Sequence, residues 1–450
     1  MKHVNPATEE SQQIDETPLK TIPRVVLNAK NAQKEWGKKN LADRIKAIRP
    51  LTRLLENNKE KIAQIITQDV GKPLKQSIWE VEGAIREINF FCSKASKFLK
   101  IEKPSILHHD VVFDPIGVVA VISPWNYPLS TSFLSIIPAL LCGNCVVLKP
   151  SEYSPLIGKI IEKLFRDLNS FPQGVLTVIT GDSLHGEELV KQDVDMISFT
   201  GSPNTGKEIM KNSANKLHKL LFELGGLDAA IVLKDVDVSV IAKKIVRNNY
   251  MNSGQMCCAI KRVYVEKEIC NKFVNSVVKE SRKIKIGNPT ENVDMGPLVS
   301  KKQLKKIETV ISDAVKKDAK ILTGGKRLLK KGYFFPHTVI INVTNDMILM
   351  NEEPFGPILP IISVKDWKEA VKLANNTCYG LSGSVWTKNM KLGKKIARML
   401  EVGVAGINTH GEGPLGTPWG GVKESGIGRL NSKEGFRAFT NIKLIRKFKP

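Results

Sequence analysis

Residues 252–259 read Asn252-Ser-Gly-Gln-Met-Cys257-Cys258-Ala259, which places two cysteines just after a Gly-Gln break. They lie between an amphipathic stretch over 238–251 and a Val-rich run over 262–265. A thiolate is the strongest common side-chain nucleophile near neutral pH, and a turn at this point lets sulfur face a cleft. Free cysteine is also a residue of buried, inert cores, so the pair alone leaves both readings open. A second candidate group is Glu223 in Phe222-Glu223-Leu-Gly-Gly226, a carboxylate closing an apolar run. Burial there raises its pKa towards that of a useful base, while a salt-bridged or solvent-facing strand end is the plainer alternative. In Ser123-Pro-Trp-Asn126-Tyr-Pro128, Asn126 sits between two prolines. It offers either a fixed amide donor for a developing oxyanion or a turn-forming side chain.

Residues 201–207, Gly201-Ser-Pro-Asn-Thr-Gly206-Lys207, follow an apolar run and open a helical pattern, nearly spelling a phosphate loop. The triphosphatase form requires Ser or Thr after the lysine to hold magnesium, and Glu208 stands there. What remains is a helix start whose amides suit a pyrophosphate, or a tight strand-to-helix turn. The standard three-glycine dinucleotide fingerprint is absent from 111–222. Seven cysteines in no metal-ligand spacing argue against a disulfide framework and against a metal site.

The elements that position these groups follow from hydrophobic pattern. A helical opening segment spans 17–100, with Leu41, Ile45, Ile48, Leu51 and Leu55 at helical spacing. Short Val/Ile-rich runs then alternate with helical stretches at 117–122, 145–148, 175–179 and 196–199, and again at 229–233, 262–265, 339–341, 358–362, 381–386 and 404–408. Strands alternating with helices imply parallel sheets covered on both faces, hence an α/β chain of two domains with a boundary near Gly225 and Gly226. A basic alternating run over 441–447 reads as an edge strand in need of a partner. With 450 residues, two or three domains are expected. The net charge of +23 comes from lysines scattered on helical faces without interleaved aromatics, which points to a solvated surface and away from nucleic acid. No apolar run is long enough for a membrane span, and 1–10 lacks the pattern of a secretory signal, so the expected location is cytoplasmic.

Taken in order, these motifs resemble the aldehyde dehydrogenase superfamily. The residues concerned are Pro124-Trp-Asn126-Tyr-Pro, Leu148-Lys149-Pro-Ser-Glu152, Phe199-Thr-Gly201-Ser202-Pro-Asn-Thr-Gly206, Glu223-Leu-Gly-Gly, Gly254-Gln-Met-Cys257, Glu352-Glu353-Pro-Phe355-Gly-Pro and Pro418-Trp-Gly-Gly-Val-Lys-Glu-Ser-Gly-Ile-Gly. Asn5-Pro-Ala-Thr-Glu fits the family's start. The resemblance implies Cys257 as nucleophile, Cys258 as a neighbour without a catalytic role, Glu223 as general base for thioester hydrolysis, and Asn126 with the Cys257 amide as oxyanion donors. It implies a Rossmann-like cofactor domain binding NAD, with NADP possible, through Trp125, Lys149, Glu152, Gly201, Ser202, Glu353 and Phe355. Glu152 would repel a 2′-phosphate. Tyr127 and Trp419 become aldehyde contacts, with His410 and Glu412 on the loop shaping the pocket mouth. Leu134 and Ser135 depart from the bulky aromatic and lysine often found there, and the lack of an arginine at an obvious pocket position suggests a neutral aldehyde.

The implied division gives 1–95 and 116–225 to the NAD-binding domain, 226–424 to a catalytic α/β domain, and 96–115 with 425–450 to a small β oligomerisation segment of a homodimer or homotetramer. CoA-acylating and acyl-phosphate-reducing relatives would not need Glu223, and a basic binding protein with a relic fold would not need to keep the catalytic set.

Overall fold

The computed structural model describes residues 1–103, 109–168 and 170–447. Two largely parallel sheets organise the chain. In the first, the strands Lys219–Glu223, Met196–Thr200, Val118–Ile122, Cys145–Lys149 and Leu176–Val178 lie side by side in that order, all parallel. Continuous apolar runs suit them because helices cover both faces, and every residue of Cys145–Lys149 is buried. The chain steps outward from Val118–Ile122 in one direction, then returns to that strand's other side at Met196–Thr200. This reversal opens a crevice at the carboxyl ends of the two strands, where 123–128 and 201–202 emerge.

The second sheet has the order Lys320–Thr323, Thr338–Ile341, Ile358–Val364, Arg262–Glu266, Ala229–Val232, Ser382–Trp386, Val404–Ile407, parallel except for the antiparallel edge Lys320–Thr323. Alternate residues feed separate cores on its two faces, Ala229 and Ile231 on one side and Ala230 and Val232 on the other. Loops leading into Arg262–Glu266 and Ile358–Val364 carry Cys257 and Glu353 towards the first sheet's crevice.

The opening segment forms five helices: Ile22–Trp36, Leu41–Ile48, Leu51–Asn57, Lys59–Val70 and Leu74–Phe98. The amphipathic pattern over 32–57 is therefore broken twice. Asn40 caps one new helix by accepting from the Asp43 amide, and Pro50 starts the next. Thr440–Ile445 finds its partner in Asp110–Pro115, an antiparallel pair that ends by Pro115 facing Thr440. The closing segment divides, however. Gly426–Ile427 joins the first sheet antiparallel to Lys219–Glu223, and Leu430, Phe436 and Phe439 are buried in the first core. Residues 426–439 thus pack on the first sheet, and 440–445 pair with 110–115. Positions 104–108 and 448–450 of the expected oligomerisation segment lie outside the described residues. Among the described residues, no helix is long and apolar enough to cross a membrane.

Candidate active site

A cavity of about 700 Å³ lies where the crevice meets the second sheet's incoming loops. Cys257, Glu223, Asn126, Trp125, Tyr127, Gly201, Ser202, Glu353, Phe355 and Trp419 all line it. Lys149 and Glu152 do not reach its wall. They sit at the carboxyl end of Cys145–Lys149, the strand next to Val118–Ile122, as an ion pair 3.6 Å apart with Lys149 buried and Glu152 open to solvent.

The loop that carries Cys257 has an unusual backbone. Asn252, Ser253 and Gly254 take φ of 47°, 56° and 71° in succession, a left-handed run costly for residues bearing a Cβ. Hydrogen bonds hold it in place: the Asn252 amide donates to Gln76 Oε1, Ser253 Oγ to the Gly296 carbonyl, and Asn252 Nδ2 to the Asn126 carbonyl. Gln255, fully buried, accepts from the Val299 amide and donates to the Asn252 carbonyl. Asn126 is locked by the Tyr127 amide on its oxygen and by its own Nδ2 donating to the Gln255 carbonyl at 3.1 Å. Its amide therefore points at the nucleophile loop, with a second N–H left over.

Cys257 is half-buried at the cavity wall. Hydrogen bonding with the Cys258 thiol, then burial, push its own thiol well up, against the pull of Lys261. Cys258 lines the same cavity. Glu223 is buried with neither carboxyl oxygen hydrogen-bonded. Burial first and Cys257 second raise it well above the ordinary carboxylate value. An unpartnered, raised carboxyl beside a thiol is a candidate functional group.

Lys261 was not singled out from sequence. Its ammonium is buried, donating to the Met256 and Cys257 carbonyls at 2.8 and 2.6 Å and pairing with Glu353 at 3.1 Å. It ties the Cys257 loop to the Glu353 carboxylate, which also accepts from the Gly226 amide. A Cβ on Gly225 would fall 2.3 Å from Glu353 Oε2, so only glycine lets this carboxylate lie against the backbone there.

On the crevice side, Ser202 caps the helix Pro203–Ser213 by accepting from the Thr205 amide. Lys207 turns away to pair with Glu424 at 2.8 Å, which removes the triphosphatase reading a second time. The rings of Trp125 and Phe355 meet edge to face at 5.4 Å. At the opposite end, Tyr127 lies under the Lys72 ammonium at 3.6 Å, and Lys72 forms a fully buried pair with Glu80 at 2.5 Å. Leu134 lines the cavity, whereas Ser135 is turned into the core against Ser198. Arg86, Glu87 and Glu412 also line it, so an arginine does stand at the mouth. It is exposed on the long helix Leu74–Phe98, where sequence pattern shows only a solvated face.

A model described as the aldehyde dehydrogenase family matches residues 1–445. The chain belongs to that family. It is 35% identical to the mitochondrial succinate-semialdehyde dehydrogenase of Oryza sativa subsp. japonica, over 98% of this chain and 85% of that protein. It is 38% identical to the lactaldehyde dehydrogenase of Methanococcus maripaludis, over 88% of this chain and 86% of that protein. The crystal structure of betaine aldehyde dehydrogenase from Staphylococcus aureus in complex with NAD+ superposes with a TM-score of 0.95 at 33% identity, covering 99% of this chain and 91% of that one. The protein is an NAD(P)-dependent aldehyde dehydrogenase that oxidises aldehydes to carboxylic acids through a cysteine adduct. Its residues fit a nicotinamide dinucleotide: the Ser202-capped helix start and the Glu353 cradle at Gly225 line the cavity, and the Lys149–Glu152 pair stands at the carboxyl end of a neighbouring strand.

Proposed function

We propose that Cys257, Glu223 and Asn126 are the catalytic residues of this dehydrogenase. The supporting observation is that a thiol, an unpartnered buried carboxyl and a fixed amide from three separate chain segments line one cavity. The Cys257 proton passes to solvent, and the thiolate sulfur adds to the aldehyde carbon to give a thiohemiacetal. Asn126 and the Cys257 amide hold the oxyanion. When bound, the dinucleotide supplies the acceptor for the hydride leaving that carbon. A thioester on Cys257 is left, and Glu223 takes a proton from the water that cleaves it. Acid is released and the thiol restored. This role for Glu223 favours hydrolysis over transfer to CoA or phosphate.

Ser202, Gly201 and Trp125 border the pyrophosphate in this reading. Lys149 and Glu152 meet the adenosine ribose, where the Glu152 charge favours NAD over NADP. Glu353 anchors the nicotinamide ribose with Phe355 beside it, and Tyr127 and Trp419 contact the aldehyde. The domain division is 1–95 with 116–225, and 226–424, joined by an oligomerisation element from 96–115 and the closing segment. The exposed apolar face of Ile442 and Leu444, paired with Phe113 and Val111, supports pairing of two copies along this ribbon. All seven cysteines are free, in keeping with a reducing cytoplasm. The test is NADH formation across an aldehyde panel. Cys257→Ala is expected to lose turnover by about a thousandfold or more, and robust turnover by that variant would remove the nucleophile assignment.

A further inference from the structure

We propose that the substrate end of the cavity is a cation subsite, in which Glu87 and Glu412 receive the ammonium group of a short amino-aldehyde. The inference rests on reading this cavity as the aldehyde site and narrows its substrate class.

Glu87 projects from the helix Leu74–Phe98 and is only 8% exposed, yet it lines the cavity. Its Oε2 has no hydrogen-bond partner. A carboxylate oxygen withdrawn from water and left unpartnered is costly to keep, and an N–H donor arriving through the cavity would relieve that cost. Glu412, exposed on the loop after Val404–Ile407, lines the same cavity. The Asn431 amide contacts Glu412 Oε1 at 3.5 Å, the long end of a hydrogen bond. Two carboxyls thus line one cavity with acceptor capacity to spare.

The neighbouring charges do not cancel them. Glu80 is saturated, paired with Lys72 and accepting from the Leu129 and Ser130 amides. Arg86 is exposed at the rim and acts on Glu87 less strongly than Glu412 and Glu80 do. Glu223, the remaining carboxyl, belongs to the catalytic set. Trp79 and Trp419 add aromatic faces to the same wall, which suit a cation as well as an alkyl chain. A carboxylate on the aldehyde's far end would meet two acidic side chains here, and a methyl would leave the acceptors empty.

The experiment compares 3-aminopropanal with butanal, which replaces the ammonium by a methyl, and with succinic semialdehyde, which carries a carboxylate. Each is assayed by NADH formation with the full-length protein. The wild type is expected to favour 3-aminopropanal over butanal in kcat/KM by about tenfold or more, chiefly through KM. Glu87→Gln and Glu412→Gln should each shrink that ratio several-fold. The subsite is overturned if the wild type shows no preference for 3-aminopropanal, if succinic semialdehyde is the best of the three, or if both variants depress 3-aminopropanal and butanal in parallel. The wild-type comparison decides the matter even where a variant fails to fold. Absence of NADH from all three aldehydes is a different failure, and removes the aldehyde-site reading together with the subsite.

Discussion

At Cys257, neighbouring groups pull in opposite directions: Cys258 and burial hold the proton on, and Lys261 favours its loss. Glu223 lacks any hydrogen-bonding partner, so its carboxyl is neutral over a wider pH range than an exposed one. Glu223→Gln should therefore give one equivalent of NADH in a rapid burst and then stall, as seen by stopped-flow absorbance. In the wild type, kcat should fall as pH drops through the raised pKa of Glu223, because only the carboxylate can accept the water's proton. The same shift has a stability consequence. A carboxyl whose folded pKa exceeds its unfolded value destabilises the fold progressively as pH rises from the unfolded value, 4.5, towards the folded one. Glu223→Gln should hence raise Tm, by roughly 1–3 °C, and by more at alkaline than at acidic pH. An equal Tm change at both pH values would contradict the unpartnered carboxylate.

At the scale of elements, the turn over 252–254 is a strained connection held by its surroundings. A Cβ on Gly254 would land 2.4 Å from the Gly356 carbonyl carbon and oxygen, at a φ of +71°. Gly254→Ala is accordingly expected to displace Cys257 and lower kcat by about a hundredfold, since a shift near 1 Å at a reacting atom costs that much. NADH assays and a crystal structure would check it. The helix Leu74–Phe98 is anchored by the buried Lys72–Glu80 pair, whose carboxylate also caps the start of Ser130–Leu141 through the Leu129 and Ser130 amides. Lys72→Met leaves Glu80 buried without its counter-charge and should cost about 3–5 kcal/mol in denaturant unfolding. A loss below about 1 kcal/mol would show that water replaces the ammonium.

For the whole molecule, the two sheets meet so that the carboxyl ends of one face the incoming loops of the other. Neither core alone encloses the site. The ribbon of Asp110–Pro115 with Thr440–Ile445 projects Ile442 at 70% exposure and Leu444 at 54%, both on one face. If this ribbon pairs two copies, Ile442→Lys with Leu444→Lys should reduce the mass measured by light scattering to that of one chain. An unchanged mass would place the interface elsewhere. Part of the surplus of positive charge stands on the exposed face of the helix Lys301–Lys316, where Lys301, Lys302 and Lys305 are exposed and Lys306 donates to the Glu353 carbonyl at the cavity wall.

Reading order along the chain singled out Cys257, Glu223 and Asn126 as candidates, because each stands at a turn or strand end that adjacent residues mark, and the family resemblance added the cofactor-side candidates. The strands over 118–122, 145–149 and 196–200 were legible for the same reason: a run buried on both faces must be apolar throughout. Lys261, Glu80, Glu87 and Arg86 were not legible as site residues. Periodicity tells which side of a helix or strand is polar, but a polar side facing water and one facing an enclosed cavity have the same pattern. Gly426–Ile427 was missed because two residues carry no alternation, and only the open edge of Lys219–Glu223 makes them a strand. Local composition determined the reacting groups, and the packing of distant segments decided which charges surround them and hence which aldehyde they can admit.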